Sequence, residues 1–510
     1  MCNRLCLKSL ICFFFLLSIL SCKKDKVDPD KPKENANRTE LTKDSIFLYA
    51  KEVYLWNTAL PSYAVFNPRS FTKYGDEFEN YQDELLKITR YTDNERWYSS
   101  GGVLYDDPKY SYIEEAQNNG VIARFDGEKS YVELDGWGDD IGLGLAYIGS
   151  NNNYYIFVKY VNPGSPAAAQ KIKRGSIITK VNGRSYGSNF DAEIDDFLDA
   201  TDAASVTLTL YPPSSSVSQN VSLNKVRYKS SPIFKDTVYV RNADNIGYLA
   251  YARFSEKDDS EPALNGVFER FASKNVNKLI VDLRYNGGGY VSSAEKLINL
   301  IIPYEYNGQL LFTEKYNETM RTGKATILKN QFYTVGGVKK SYYGSYTNIK
   351  ANANKSASGY LTNIRKVVFI VSGGTASASE LTINALKPYI DVKLVGEKTY
   401  GKPVGFFSIR IDKYDVYYSM FVSFNSRDEG GYYNGMSVDK AVSDYPYNKE
   451  LGDPAESNTA AAIDYLMNGS FSASVQSRSG AGEATILSNP RSLNKDGFKG
   501  MIERPERIFK

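Results

Sequence analysis

The apolar positions change period along the chain, and each change marks a different kind of element. Residues 10–20 form an apolar run behind Arg4 and Lys8, and residues 23–40 hold almost nothing to bury. Ile46, Tyr49, Ala50 and Val53 then recur at helical spacing, as do Phe78, Tyr81, Leu85 and Ile88, which predicts core-facing helices between 41 and about 105. From about 136 to 228 the pattern shortens to strands and turns, with strict alternation over 154–160. Beyond a short connection, strand patterns (246–254, 278–283, 367–371, 392–395) interleave with helical ones (261–273, 292–302, 375–386). Residues 306–364 are rich in Tyr, Asn and Gly, and read as an insertion covering the core. Strand-like stretches at 407–411 and 416–424 and a helix over 455–467 close the pattern.

The first run is too short and wrongly flanked to span a membrane, so residues 1–21 read as an export signal. It ends I-L-S-C, which resembles a bacterial lipobox with Cys22 as the lipidated residue. Residues 22–40 then form a flexible tether. The expected location is the cell envelope, lipid-anchored, facing the periplasm or the cell surface. The four cysteines (Cys2, Cys6, Cys12, Cys22) all lie at or before that point. A mature chain beginning at Cys22 therefore has no disulfide framework, thiolate metal site or cysteine nucleophile within it. A formal net charge of +3 argues against a nucleic-acid partner.

The chain contains no histidine, which removes Ser-His-Asp, Cys-His and His-ligated zinc chemistry. A serine nucleophile would have to pass its proton to another base, and lysine is the usual substitute. An ordinary lysine, with a pKa of about 10.4, is almost fully charged at neutral pH, so a lysine base belongs in a tight, water-poor pocket. Residues 371–386 read V-S-G-G-T-A-S-A-S-E-L-T-I-N-A-L, a strand end, a glycine pair and small residues opening a helix. This arrangement exposes a serine at the positive end of a helix dipole. Lys402, between Gly401 and Pro403, suits the pocket better than Lys398 beside Glu397. The residues alone leave Ser377 and Ser379 open; two apart on a helix, only one can face the lysine.

T-A-S-A-S-E followed by V-G-E-K-T-Y-G-K resembles the active-site signature of the carboxyl-terminal processing peptidases, or tail-specific proteases. The resemblance implies Ser377 as nucleophile and Lys402 as general base. A second signature, D-L-R-Y-N-G-G-G over 282–289, implies an oxyanion hole built from Gly288 or Gly289 with Ala378. Asp282 and Arg284 read as holding that turn together. The family places a glutamine four residues after the lysine; this chain has Phe406 there.

Residues 162–183, N-P-G-S-P-A-A-A-Q-K-I-K-R-G-S-I-I-T-K-V-N-G, resemble a PDZ domain. With them, the I-G-L-G-L string at 141–145 implies peptide binding at Gly142, Leu143, Gly144 and Leu145. The implied architecture is an α/β core of the crotonase-like serine peptidase type, with an N-terminal helical segment and a PDZ-like β-rich domain. Its expected boundaries are 41–135 for the helical region, 136–228 for PDZ, 229–468 for the peptidase core and 469–510 for a loosely packed tail. The implied activity is endopeptidase cleavage of unfolded or C-terminally tagged polypeptides, needing no metal or organic cofactor. Two other readings stand beside it: a catalytically silent PDZ protein that binds exported tails, motivated by Phe406, and a carrier of hydrophobic ligands.

Overall fold

The computed structural model describes residues 32, 35–98, 102–116, 132–347, 349–355, 361–472, 491–492 and 500–509. Cys22 and the expected export signal lie outside the described residues, as does most of the expected tether.

The core is a six-stranded sheet in the order Ile233–Arg241, Asp244–Tyr251, Lys278–Asp282, Lys366–Val371, Asp391–Gly396, Lys440–Ala441. The first pair is antiparallel and every later neighbour is parallel. Parallel neighbours need crossover connections. The helices Lys257–Ser273, Val291–Ile301 and Ala378–Leu386 lie in them. Alternation along the strands then sends side chains to two separate cores. Leu279, Val281, Val367, Phe369 and Leu394 pack with those helices. Ile280, Val368, Ile370 and Val395 meet Ala461, Ala462, Tyr465 and Leu466 of the helix Ser457–Asn468 on the opposite face. Burial on both faces is why these strands read as continuous apolar runs.

A second sheet contains Leu143–Ser150, Asn153–Val161, Ile177–Val181, Ser205–Tyr211 and Gln219–Asn224. It closes on the helix Phe190–Asp202 around its own core of Ile156, Val158, Ile178, Leu208 and Phe197. This is the β-rich domain expected between 136 and 228. A four-stranded sheet in the order Ile349–Asn352, Leu310–Tyr316, Phe421–Asn425, Val404–Gly405 packs against the helix Ala378–Leu386.

Two regions depart from the sequence reading. The N-terminal part is helical over Arg38–Val53 and Glu77–Thr89, but its helical turns stop at Glu95. The chain then runs on to the strand Tyr112–Glu115, which pairs antiparallel with Tyr414–Tyr417. Polar anchoring explains the change: Glu95 is buried and accepts from Ser111 Oγ at 2.8 Å. The second departure is the tail. Residues 500–509, expected to pack loosely, are held in place: Gly500–Ile502 pairs parallel with Gly288–Tyr290, and Met501 is fully buried. Arg507 secures this end through Glu314 at 2.8 Å and Glu503 at 3.2 Å.

A buried ionic cluster joins the two domains. Arg284 pairs with Asp282 at 2.7 Å, Glu456 at 2.9 Å and Asp444 at 2.6 Å. Arg174 of the β-rich domain reaches the same Asp444 at 2.7 Å. Burial pushes the Glu456 carboxyl up, but the neighbouring Arg284 pulls harder and leaves it at about 2. A folded pKa below the unfolded value of about 4.3 gives stability that is complete above that value and is lost as pH falls. Glu456 therefore contributes a loss of stability between pH ~4.3 and ~2, and Glu456→Gln is expected to flatten that part of the curve. Denaturant unfolding at stepped pH measures it, and parallel wild-type and variant curves would exclude this role. Arg284→Ala, which removes the arginine from buried Asp282 and Glu456 and leaves Asp444 to Arg174 alone, is expected to cost about 3–5 kcal/mol in the same assay.

Candidate active site

The strand Lys366–Val371 ends at the glycine pair, and the chain turns sharply into the helix Ala378–Leu386. Ser377 stands at the turn with φ 59° and ψ −111°, a left-handed-side conformation rare for a residue with a side chain. Such positions cost about 1–3 kcal/mol and persist only where the surroundings fix them. Here the Ser377 N–H donates to Glu380 Oε2 at 2.9 Å, and its carbonyl accepts from Leu381 N–H at 2.7 Å. Ser377 Oγ is buried and makes no hydrogen bond to any described residue. Ser379, by contrast, donates its hydroxyl to the Asn286 carbonyl at 3.0 Å. The structure thus separates the two serines: Ser379 ties the helix to the glycine turn, and Ser377 carries the unengaged hydroxyl.

Glu380 organises the other side. Its carboxylate also accepts from Lys402 N–H at 2.8 Å, Gly401 N–H at 2.9 Å and Thr399 Oγ1 at 2.5 Å. Burial pushes the Glu380 carboxyl up, and these donors oppose the shift. One carboxylate therefore ties the backbone of Ser377 to the loop that carries Lys402.

Lys402 is buried. Its Nζ donates to the Tyr110 carbonyl at 3.2 Å and lies 4.6 Å from the centre of the Phe406 ring. Tyr110 Oη in turn donates to the Gly401 carbonyl at 2.6 Å. Glu95, also from the N-terminal region, is raised by burial and drawn back by the Ser419 and Ser111 hydroxyls and by the Lys402 charge. Lys398 is exposed, unlike the buried Lys402.

The glycine run lies beside Ser377. Gly288 and Gly289 have φ of 110° and 136°, and a Cβ at Gly289 would stand 2.0 Å from the Phe254 carbonyl oxygen. Of the expected oxyanion donors, the Gly288 N–H is turned onto Asn286 Oδ1 at 2.9 Å, Gly289 stands opposite Met501, and Ala378 opens the helix. Arg284 and Asp282 hold the turn, as their sequence context implied. At the PDZ string, Gly142 is in the turn before the strand, while Leu143 and Leu145 point into the domain core. What this stretch can offer a peptide is backbone. Asn286, Glu380, Glu95 and Tyr110 were not singled out from the sequence. The first two stood inside quoted motifs, and Tyr110 acts partly through its carbonyl, which no side-chain pattern reveals.

Residues 245–425 match the profile of peptidase family S41, and residues 157–212 match a PDZ domain. A Staphylococcus aureus protein named as a probable CtpA-like serine protease is 27% identical over 268 residues, 52% of this chain and 45% of that protein. This chain thus spans about half the length of such relatives. A carboxy-terminal-processing protease of Bartonella bacilliformis is 23% identical over 348 residues, 66% of each chain. Among solved structures, an assigned S41 protease of Bacteroides fragilis superposes with a TM-score of 0.60 at 18% identity, covering 86% of this chain and all of that one, which shows a shared fold.

Glu380→Gln keeps the shape but sets an amide N–H against donors. It is expected to destabilise the protein by about 1–3 kcal/mol in denaturant unfolding. A change below about 0.5 kcal/mol would mean that the three amides and Thr399 find other acceptors.

Proposed function

We propose that this chain, which carries a peptidase family S41 domain and a PDZ domain, is an exported serine endopeptidase working through Ser377 and Lys402. The observation that carries the reading is the strained turn at Ser377, with an unengaged Oγ, bound through Glu380 to the loop of a buried lysine. In this reading Ser377 Oγ attacks a peptide carbonyl and Lys402 Nζ takes its proton. The same lysine then protonates the leaving amine, and water hydrolyses the acyl-enzyme. Ala378 N–H and a glycine amide of 288–289 face the developing oxyanion; Gly288 must first release Asn286. The substrate is an unfolded or C-terminally tagged polypeptide, presented by the PDZ sheet edge. Cys22 in its I-L-S-C context supports a lipid anchor in a bacterial cell envelope.

The test is hydrolysis of an unfolded protein by a form beginning at Lys23. Ser377→Ala and Lys402→Ala are expected to abolish turnover, while Ser379→Ala retains it and loses about 1 kcal/mol of stability with its hydrogen bond. Wild-type activity is expected to rise with pH as the lysine base becomes neutral. Absence of turnover at every pH would instead favour the silent, tail-binding reading that Phe406 motivates.

A further inference from the structure

Two short strands late in the sequence lie on the two surfaces that a polypeptide substrate would use. Arg491–Ser492 adds to the PDZ sheet antiparallel to Leu143–Ser150, with Arg491 opposite Tyr147 and Ser492 opposite Ala146. Rising residue number thus runs toward the Gly142 turn. An extended ligand whose end faces a glycine loop runs the same way.

Gly500–Ile502 lies in the cleft itself. It runs parallel to Gly288–Tyr290, and Gly500 N–H donates to the Gly287 carbonyl at 3.1 Å. On its other side, Phe406 N–H donates to the Met501 carbonyl at 3.0 Å, and Glu503 N–H donates to the Phe406 carbonyl at 2.9 Å. The strand is therefore inserted between the glycine run and the strand that follows Lys402. It also passes the nucleophile. The point where a Cβ on Gly288 would stand is 2.3 Å from the Gly500 carbonyl oxygen and 3.0 Å from Ser377 Cβ.

A peptidase nucleophile must admit a polypeptide, yet Ser377 is wholly inaccessible, and the space beside the glycine run holds a strand of the same chain. Strand addition works through backbone hydrogen bonds, so an edge that accepts this segment accepts an extended chain of another sequence. We propose that residues 500–503 occupy, in cis, the place of an extended polypeptide substrate in the cleft, parallel to Gly288–Tyr290, while residues 491–492 separately take the Leu143–Ser150 edge that a chain end would use. Residues 500–503 must leave the cleft before substrate reaches Ser377. The proposal rests on the peptidase reading of Ser377. The segment is fastened by Arg504 to Glu256 at 2.7 Å, by Arg507 to Glu314, and by the Phe509 ring 5.2 Å from that of Tyr346. The strength of this fastening sets the fraction of molecules open to substrate, and apparent affinity falls in proportion.

The experiment is a reversible latch in the full-length mature chain. Tyr290 and Ile502 are partners in the ladder. Neighbouring strands stand about 4.8 Å apart, within the Cα range of a disulfide. No cysteine follows Cys22, so in a form beginning at Lys23 the pair Tyr290→Cys/Ile502→Cys has no competing thiol. Two readouts are compared in the same protein, oxidised and reduced: cleavage of fluorescein-labelled carboxymethylated casein, and binding of that casein by the Ser377→Ala version. The oxidised form is expected to cleave at least about tenfold more slowly and to bind more weakly, with both restored by reductant. Equal cleavage and equal binding in the two states would overturn the proposal and make the strand a fixed part of the core. If neither state cleaves but the latch still blocks binding, the cleft proposal stands and the peptidase reading falls. If neither state cleaves and binding is unchanged, both fall.

Discussion

The arrangement of the site depends on one buried carboxylate. Glu380 sits three residues after Ser377 and reaches back to its N–H, then across to the amides of Gly401 and Lys402 and the Thr399 hydroxyl. Thr399 Oγ1 itself accepts from Met436 N–H, so its own proton is available for Glu380. Every partner of the carboxylate is thus a donor. A protonated carboxyl would point its hydrogen at donors, so the hydrogen-bond pattern demands the ionised form even though burial opposes it. A buried charge persists only when its acceptor sites are filled, and here filling them fixes the Ser377 turn against the loop that carries Lys402. The unfavourable backbone of Ser377 is offset in the same place, since its N–H is one of the donors.

The second constraint runs from the glycine turn to the neighbouring domain. Asp282 and Arg284 could be read as the ties of a tight turn, and they are. The structure adds Asp444, Glu456 and Arg174, so one buried cluster spans the turn, the closing helix and the PDZ domain. Incomplete buried ion clusters are strongly unfavourable, and this one is complete only when both domains are docked. The domain interface and the shape of the glycine run are therefore set together.

Much of the fold was legible because its signals were local. The parallel strands appear as apolar runs, the helices between them as periodic stripes, and the PDZ domain as a contiguous string that folds around its own core. Ser377 and Lys402 lay in compact motifs. What was not legible depends on long-range pairing or on backbone. The strand Tyr112–Glu115 finds its partner some three hundred positions later, at Tyr414–Tyr417. Residues 500–502 read as tail because Gly-Met-Ile carries no strand pattern; their burial comes from ladder bonds to Gly288–Tyr290. The different surroundings of Ser377 and Ser379 needed coordinates, since the Ser379 hydroxyl is bonded to a carbonyl in another loop.

Phe406 stands where the resemblance to the carboxyl-terminal processing peptidases implies a glutamine, and other groups surround Lys402 here. The Tyr110 carbonyl accepts from Lys402 Nζ, and Tyr110 Oη donates to the Gly401 carbonyl beside it, so the N-terminal region helps to place this lysine. The Phe406 ring stands over the same ammonium, with Nζ 4.6 Å from the ring centre. The backbone of Phe406 is bonded on both sides by Met501 and Glu503, the strand that fills the cleft. The ring over Lys402 and the strand beside Ser377 are one arrangement, and a chain that replaced the strand would meet the surroundings of both residues at once.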